Sequence, residues 1–418
     1  MILKQELLKI LKTPVIWVLV LFFITLNSIL VMSKSDFKED LSILSDMVDT
    51  YGAEINEEMM TEVGHDYKKI QTWVNQVAND ENTVYEHPSD LLSKLSKQTE
   101  NPLEQEELRT LLEYAVLEGF YRTAQDLDEI YEEIDLSQSA EGQIELYRLT
   151  GNAAEQVREQ YQKLEVRLDQ LIENGEHKHL FFMGKVYEMH SLLFRDIGRA
   201  LLFELMILIV LITAAITNYE FEHRTSLVTY TTKKGRALVL YKLLAATIAS
   251  SFVMLGMIGV TLTIFFTTYN YEGLWSVPIS NYFNGETVLP YISWWNITFI
   301  EYVGFFILFI ILSQLIFLGV TFVLSVYMKN TYLVFFTFMI FLGIGILLPS
   351  YMPRESNLIF LLNFNPFVFI LNPHEWLMGN GPFTISKYYE QVTIGLWIII
   401  IGWLMNRSVI RFKREPLQ

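Results

Sequence analysis

The residues best suited to chemistry lie in one stretch, "NYEFEHRTSLVTYTTKKGRALVLYKL", residues 218–243. Glu220, Glu222, His223 and Arg224 stand at one end, and Lys233, Lys234, Arg236 and Lys242 at the other. Long apolar runs flank both sides. Clustered charges of both signs between such runs suit a polar, reversible protein contact. The basic residues alone could instead enforce topology and touch anionic lipid, but topology by itself does not require Glu220 and Glu222.

Enzyme chemistry finds little support. No G-x-x-x-x-G-K-[ST] loop occurs, so the usual nucleotide cradle is missing. "HEWLM" at His374 lacks the second histidine of H-E-x-x-H, and no G-x-S-x-G elbow is present. His177 and His179, with Glu188 and His190, match no common zinc spacing, so a solvated loop is expected and no metal site. The absence of cysteine excludes disulfides and thiolate chemistry.

Three polar residues fall inside apolar runs. A charge at a bilayer centre costs roughly 2.5–3.5 kcal/mol on insertion scales, so Glu204 asks for a reason. It would lie about one turn from the outer end of its span, below Arg195 and Arg199. There it either reaches the interface, pairs with a basic neighbour, or forms a polar point in a translocation path or a cation site. Asn27 and Gln314 are weaker candidates for the same path and equally suit interhelical hydrogen bonds. Gly256, Gly259, Gly343 and Gly345 would allow close helix approach.

These residues need a frame, and composition supplies it. Residues 34–196 hold 36 acids and 15 bases, whereas the rest of the chain holds 11 and 16. That contrast marks an acidic soluble domain set into a basic-edged membrane protein. A bilayer core needs about 20 apolar residues per helix. Six stretches qualify: 14–32, 199–218, 243–269, 302–327, 331–348 and 388–406, the last if Arg407 snorkels. With the N-terminus inside, Lys4, Lys9, Lys12, the basic residues of 219–242, Lys329, Arg407, Arg411, Lys413 and Arg414 are all cytoplasmic, whereas the outer loops 270–301 and 349–387 hold only Arg354 and Lys387. Residues 33–198 are then extracytoplasmic, 219–242 form a cytoplasmic loop, and 407–418 form a basic cytoplasmic tail. The leader has no cleavage site and is expected to be retained.

The outer domain reads as helical. Val157, Tyr161, Leu164, Leu168 and Leu171 form a heptad-like seam that Gly175 would stop. A second helix, started by Asn101 and Pro102, would bury a broad face from Leu108 to Ile134 that includes Leu111, Leu112, Phe120, Leu127 and Tyr131. A bundle packed on itself is the simpler outcome, and a stalk or lid that binds a partner is the sharper one. Leu3, Leu7, Leu8 and Leu11 share a face edged by Lys4, Lys9 and Lys12, as in an interfacial helix over 1–13. Residues 358–372, apolar but interrupted by Asn363, Asn365 and Pro366, are too short to cross and suit a re-entrant hairpin or an interfacial loop.

Together these pieces resemble the membrane subunit of an ATP-binding-cassette exporter of the type-2 (type V) permease class. "KQELLKILKTP" is similar to the class's lysine-rich, Glu-containing opening. The 219–242 loop resembles its E-x-E-x-G-T pattern, followed by leucines, a basic turn and a lysine, here Glu220, Glu222, Thr225, Leu227, Lys233, Lys234, Gly235, Arg236 and Lys242. Arg224 stands where the class has glycine, which puts the tight turn in question. The resemblance covers the six-span frame and not the acidic domain.

The resemblance implies an all-α integral membrane protein with an interfacial helix, six transmembrane helices and a re-entrant hairpin between spans five and six; composition and periodicity add the large helical extracytoplasmic domain between spans one and two. It implies that Glu220, Glu222, Arg224, Thr225, Lys233, Lys234 and Arg236 dock a separate ATPase subunit. That subunit would carry ATP and Mg, with no cofactor on this chain. The expected partners are that ATPase, a second permease in a homodimer or heterodimer, and membrane lipid, with no nucleic acid. The expected function is export of an amphipathic peptide, lipid or hydrophobic antibiotic across a bacterial plasma membrane, both termini cytoplasmic. The alternatives are an ATPase-coupled sensor whose outer domain binds a ligand or partner, and a cation exporter.

Overall fold

Runs of apolar residues set the frame. The computed structural model describes residues 2–34, 37–79, 83–97, 103–181, 190–231, 235–285 and 290–414. Among them no strand occurs, and six helices are long and apolar enough to cross a membrane: Pro14–Met32, Ser191–Glu222, Gly235–Thr268, Phe299–Met328, Thr331–Tyr351 and Tyr389–Arg414. We number these spans one to six. The chain is an all-helical, multi-pass membrane protein. Residues 33–190 join spans at one end, here the domain end. The leading helix Ile2–Leu11 and the loop between spans two and three lie at the other, the loop end.

Several boundaries move from those expected. Span two starts earlier, with a π-helical stretch Ser191–Ile197 that runs into the α-helix Gly198–Glu222. Span three is α-helical from Leu238. The expected loop of 219–242 therefore shrinks at both ends, because Glu220 and Lys242 are neutralised by partners and need not leave the helix. Span six continues to Arg414, so most of the expected basic tail is helical. The longer span two also moves Glu204 away from its end. It stands near the middle, roughly 20 Å along the helix from Ser191 at about 1.5 Å per residue.

Span two is the central strut. Its apolar window is 72% buried, against 11% for span five and 22% for span one. Spans three and four pack along it. Gly198 lets Phe306 of span four approach closely. Gly345 does the same for Phe367. At Gly256, Gly259 and Gly343 a Cβ would meet nothing within 4 Å, so these three mediate no close approach among the described residues.

The residues between spans one and two form helices Phe37–Tyr51, Glu57–Ala78, Pro88–Leu95, Gln105–Glu132, Leu136–Tyr147 and Gly151–Glu173. All five seam residues from Val157 to Leu171 are buried, and Gly175 takes φ +68° just past the helix end. In the longer helix Leu111, Phe120, Leu127 and Tyr131 are buried, but Leu112 is 47% exposed, so the apolar face is narrower than expected. Its described start is Glu104, in a capping box with Glu107; Asn101 and Pro102 lie outside the described residues.

This unit is fastened to the inter-span loops. Arg167 and Glu176, both buried, form a two-pronged ion pair at 2.9 and 2.5 Å, and Arg167 Nε donates to the Ser293 carbonyl at 2.9 Å. Leu164 presses on Gly379, where any side chain would collide. The seam thus packs on Ile292, Trp294 and Ile385 as well as on the preceding helix.

Between spans five and six, two short helices, Leu358–Asn363 and Pro366–Phe369, are separated by a break. The freed backbone groups find protein partners, as burial demands. Asn365 Oδ1 accepts from Phe367 and Val368 N–H, Tyr389 donates to the Asn363 carbonyl, and Trp397 donates to that of Phe364.

Candidate functional site

Charges cluster inside the loop end. Lys9 of the leading helix donates to Glu6 and to Glu220 of span two, each at 2.6 Å. Lys242 of span three pairs with Glu220 and lies 3.5 Å from Glu6. It also donates to the Ile216 carbonyl at 2.5 Å. Tyr230, on the short loop helix Ser226–Tyr230, donates to Glu220 Oε2 at 3.2 Å. Two acids and two bases thus form a neutral set in which Glu6, Glu220 and Lys242 are buried and Lys9 is partly buried, with Lys242 only 1% exposed. Burial alone would pull the Lys9 ammonium down, but its bonds to Glu220 and Glu6 outweigh burial and hold it above the usual lysine range. Burial and the Glu220 charge both push the Tyr230 phenol up, so it stays a donor.

This geometry corrects the leading-helix pattern. Leu3 and Leu7 of the expected apolar face pack partly buried against the core, but Glu6 and Ile10 are buried on that inward side too, whereas Leu8 is 39% exposed. It also corrects the position of Glu220, which faces the interior and offers no surface to a docking partner.

Beyond Glu220 the helix ends in a Schellman motif. Thr225 N–H reaches the Glu220 carbonyl at 2.9 Å, Arg224 N–H reaches that of Phe221 at 3.2 Å, and Arg224 takes φ +55°. That left-handed position favours glycine, which explains the glycine of the class pattern. The tight turn forms with arginine in its place. Glu222 turns away and accepts from the Thr331 N–H at 2.6 Å, placing a carboxylate at the N-terminus of span five, where the helix dipole favours it. Arg224 and Thr225 are exposed. Arg236 donates to the Lys413 carbonyl at 2.8 Å and ties the loop to span six. Lys233 and Lys234 lie outside the described residues.

The outward face of the loop helix is apolar. Leu227 is 54% and Val228 76% exposed, while Tyr230 turns inward onto Phe221 and Phe412. Charge counting passes over these two residues. The signal for them is their place after a helix stop, in a five-residue helix with one buried aromatic.

The three polar residues inside the spans meet unequally. Asn27 Nδ2 donates to Glu204 Oε2 at 2.8 Å and lies 3.3 Å from Thr261 Oγ1, which joins spans one, two and three. Glu204 is buried and pairs with an amide, not with a basic group or the interface as expected. Gln314 makes no hydrogen bond to this pair among the described residues and donates instead to the Leu202 carbonyl at 3.0 Å, joining spans four and two.

A family model described as "ABC-2 family transporter protein" matches residues 13–405. The chain belongs to that family. No curated protein and no solved structure gives a significant match. In this ABC-2 transporter protein the match runs through the acidic unit as well as the six spans, and the family places the chain as the membrane component of an ABC transporter that works with an ATP-binding subunit.

The remaining candidates fall outside this arrangement. No group of three or more His, Cys, Asp or Glu suited to a metal occurs among the described residues. His177 is not in a solvated loop: it is buried, its ring 4.5 Å from that of Tyr131, with Nε2 3.1 Å from Asp128. His190 packs on Tyr291 and faces the His374 carbonyl. Glu188 lies outside the described residues.

Proposed function

We propose that this chain is the permease of an ABC exporter, paired with a second permease and driven by separate ATPase subunits. The largely buried charge set of Glu6, Lys9, Glu220 and Lys242 carries this reading. It binds the leading helix, span two, span three and the loop helix into one unit, while Leu227, Val228, Arg224 and Thr225 stand exposed at its tip. A push on that tip would reach span two through the bond of Tyr230 to Glu220, and span three through the pairing of Glu220 with Lys242. The docking surface is therefore the loop helix, with Glu220 and Lys242 as its internal brace and Glu222 and Arg236 tying it to spans five and six. In this reading the loop end is cytoplasmic, the acidic unit is extracytoplasmic, and the broken helix pair between spans five and six re-enters the membrane. The cargo is an amphipathic molecule, suited to apolar and aromatic span surfaces, and the pair of Glu204 and Asn27 gives the path a polar point.

Purification in mild detergent with the native partners tests it. An ATPase carrying a phosphate loop should co-purify in stoichiometric amount and be lost from Leu227→Asp and Val228→Asp variants whose melting temperature is unchanged. Recovery of the permease without any ATPase, even after cross-linking, would overturn the proposal.

A transmission role is the second reading, favoured by the attachment of the acidic unit to Ser293 through Arg167 and Glu176. That bond would carry span movements into the unit and so drive a ligand or partner outside. A transmitter would cycle ATP without moving cargo.

A further inference from the structure

The leading helix and span two line an open cleft of about 530 Å³ that the brace does not fill, bounded by Lys9, Lys12, Tyr219, Glu222, His223 and apolar Leu8, Pro14 and Ala215. It lies where span one begins at Pro14 and span two ends at Glu222, and hence at a membrane edge. Its charges are of opposite sign and unequally engaged. Lys9 is committed to Glu6 and Glu220 and sits 4.5 Å over the Tyr219 ring. His223 is stacked on Tyr219, with Nδ1 on the Tyr219 carbonyl. Glu222 uses Oε1 for the Thr331 N–H. Lys12 is exposed and forms no ion pair among the described residues. From Pro14 an exposed apolar row of Val15, Val18, Leu21 and Phe22 runs along span one into the membrane.

We infer that this cleft holds the phosphoethanolamine headgroup of a membrane phospholipid. The phosphate meets Lys12, the primary ammonium meets Glu222, and one acyl chain follows the apolar row on span one. A lysine and a carboxylate in one cleft match a zwitterion better than a purely anionic headgroup, which Glu222 would repel. A quaternary choline lacks the N–H donors that Glu222 can accept. Because Lys9 lines the same cleft and belongs to the brace, an occupying lipid would stiffen the leading helix against span two. The inference takes the membrane position of the spans from the proposed function and needs no ATPase.

The full chain in nanodiscs of equal dioleoyl phosphatidylethanolamine, phosphatidylglycerol and phosphatidylcholine, released and weighed by native mass spectrometry, tests this. Ethanolamine lipid should be retained in preference to the other two. Lys12→Gln should weaken its retention roughly tenfold, as expected for one charge-assisted bond. Glu222→Gln keeps an acceptor for Thr331 and should remove the preference over the choline lipid. Unchanged melting temperatures would show that both variants fold. Equal retention of all three lipids, a preference for phosphatidylglycerol, or a preference untouched by both folded variants would each overturn the inference. Lipid binding as expected with no ATPase recovered would sink the exporter reading and leave this site standing.

Discussion

Glu220 and Lys242 form an ion pair between spans two and three, with side chains 5% and 1% exposed. Buried pairs are costly to break singly, because each partner leaves an uncompensated charge, while replacing the whole set with apolar groups can be neutral. Lys242→Met should therefore destabilise strongly, by about 3–5 kcal/mol. The double variant Glu220→Gln, Lys242→Met should recover part of that loss. Thermal melting of the four species in one detergent measures the coupling, and simple additivity would show that the two residues do not interact.

Arg224 at φ +55° predicts a gain from glycine. A left-handed residue costs roughly 1–2 kcal/mol when it carries a side chain, and part of that returns as the unfolded-state entropy of glycine. Arg224→Gly should raise stability by up to about 1 kcal/mol and slow amide exchange over residues 225–230. Faster exchange there would mean that the arginine side chain itself holds the turn.

Arg167, held by Glu176 within the acidic unit, fastens that unit to the loop before span four through the Ser293 carbonyl. Arg167→Met keeps much of the side-chain volume but strands Glu176. Hydrogen exchange should then rise at residues 290–297 and in the helix Gly151–Glu173, with spans two and three unchanged. Protection that stays uniform would assign the attachment to the apolar contacts of Leu164 and Trp294 alone.

The pH response follows from histidines held neutral. Burial pushes the His374 imidazole down to about 3, with His190, Arg195 and Arg199 adding to it, and burial lowers His177 despite Asp128. In the unfolded chain both titrate near about 6.5. Between the folded and unfolded values the unfolded state binds more protons, so stability rises with pH there. It should be full above about pH 6.5 and decline by a few kcal/mol as pH falls toward about 4. Melting temperature recorded from neutral to acidic pH should show this slope, and His374→Gln should flatten it.

The acidic unit shows how far local pattern reaches. The seam from Val157 to Leu171 was legible because helical period and apolar burial coincide, and Gly175 marks its end. The sequence could not say that the seam's partners include Trp294 and Ile385, more than a hundred residues away. The expected docking loop shows the same limit. Its charges were legible as a cluster, but their individual roles were not. Glu220 and Glu222, two residues apart on one helix, point to different neighbours, one to Lys9 and Lys242 and the other to the start of span five.

The sequence by itself determined the six spans, the acidic insertion and the family, because apolar length, charge balance and short motifs are properties of contiguous residues. Only the tertiary structure decided which charges are buried. Lys9 reaches Glu220 across 211 positions and Asn27 reaches Glu204 across 177. Such pairs exist only where helices meet, and helix meetings are set by side-chain packing over the whole bundle rather than by any local period. The same packing turned Glu220 inward and left Leu227 and Val228 outside.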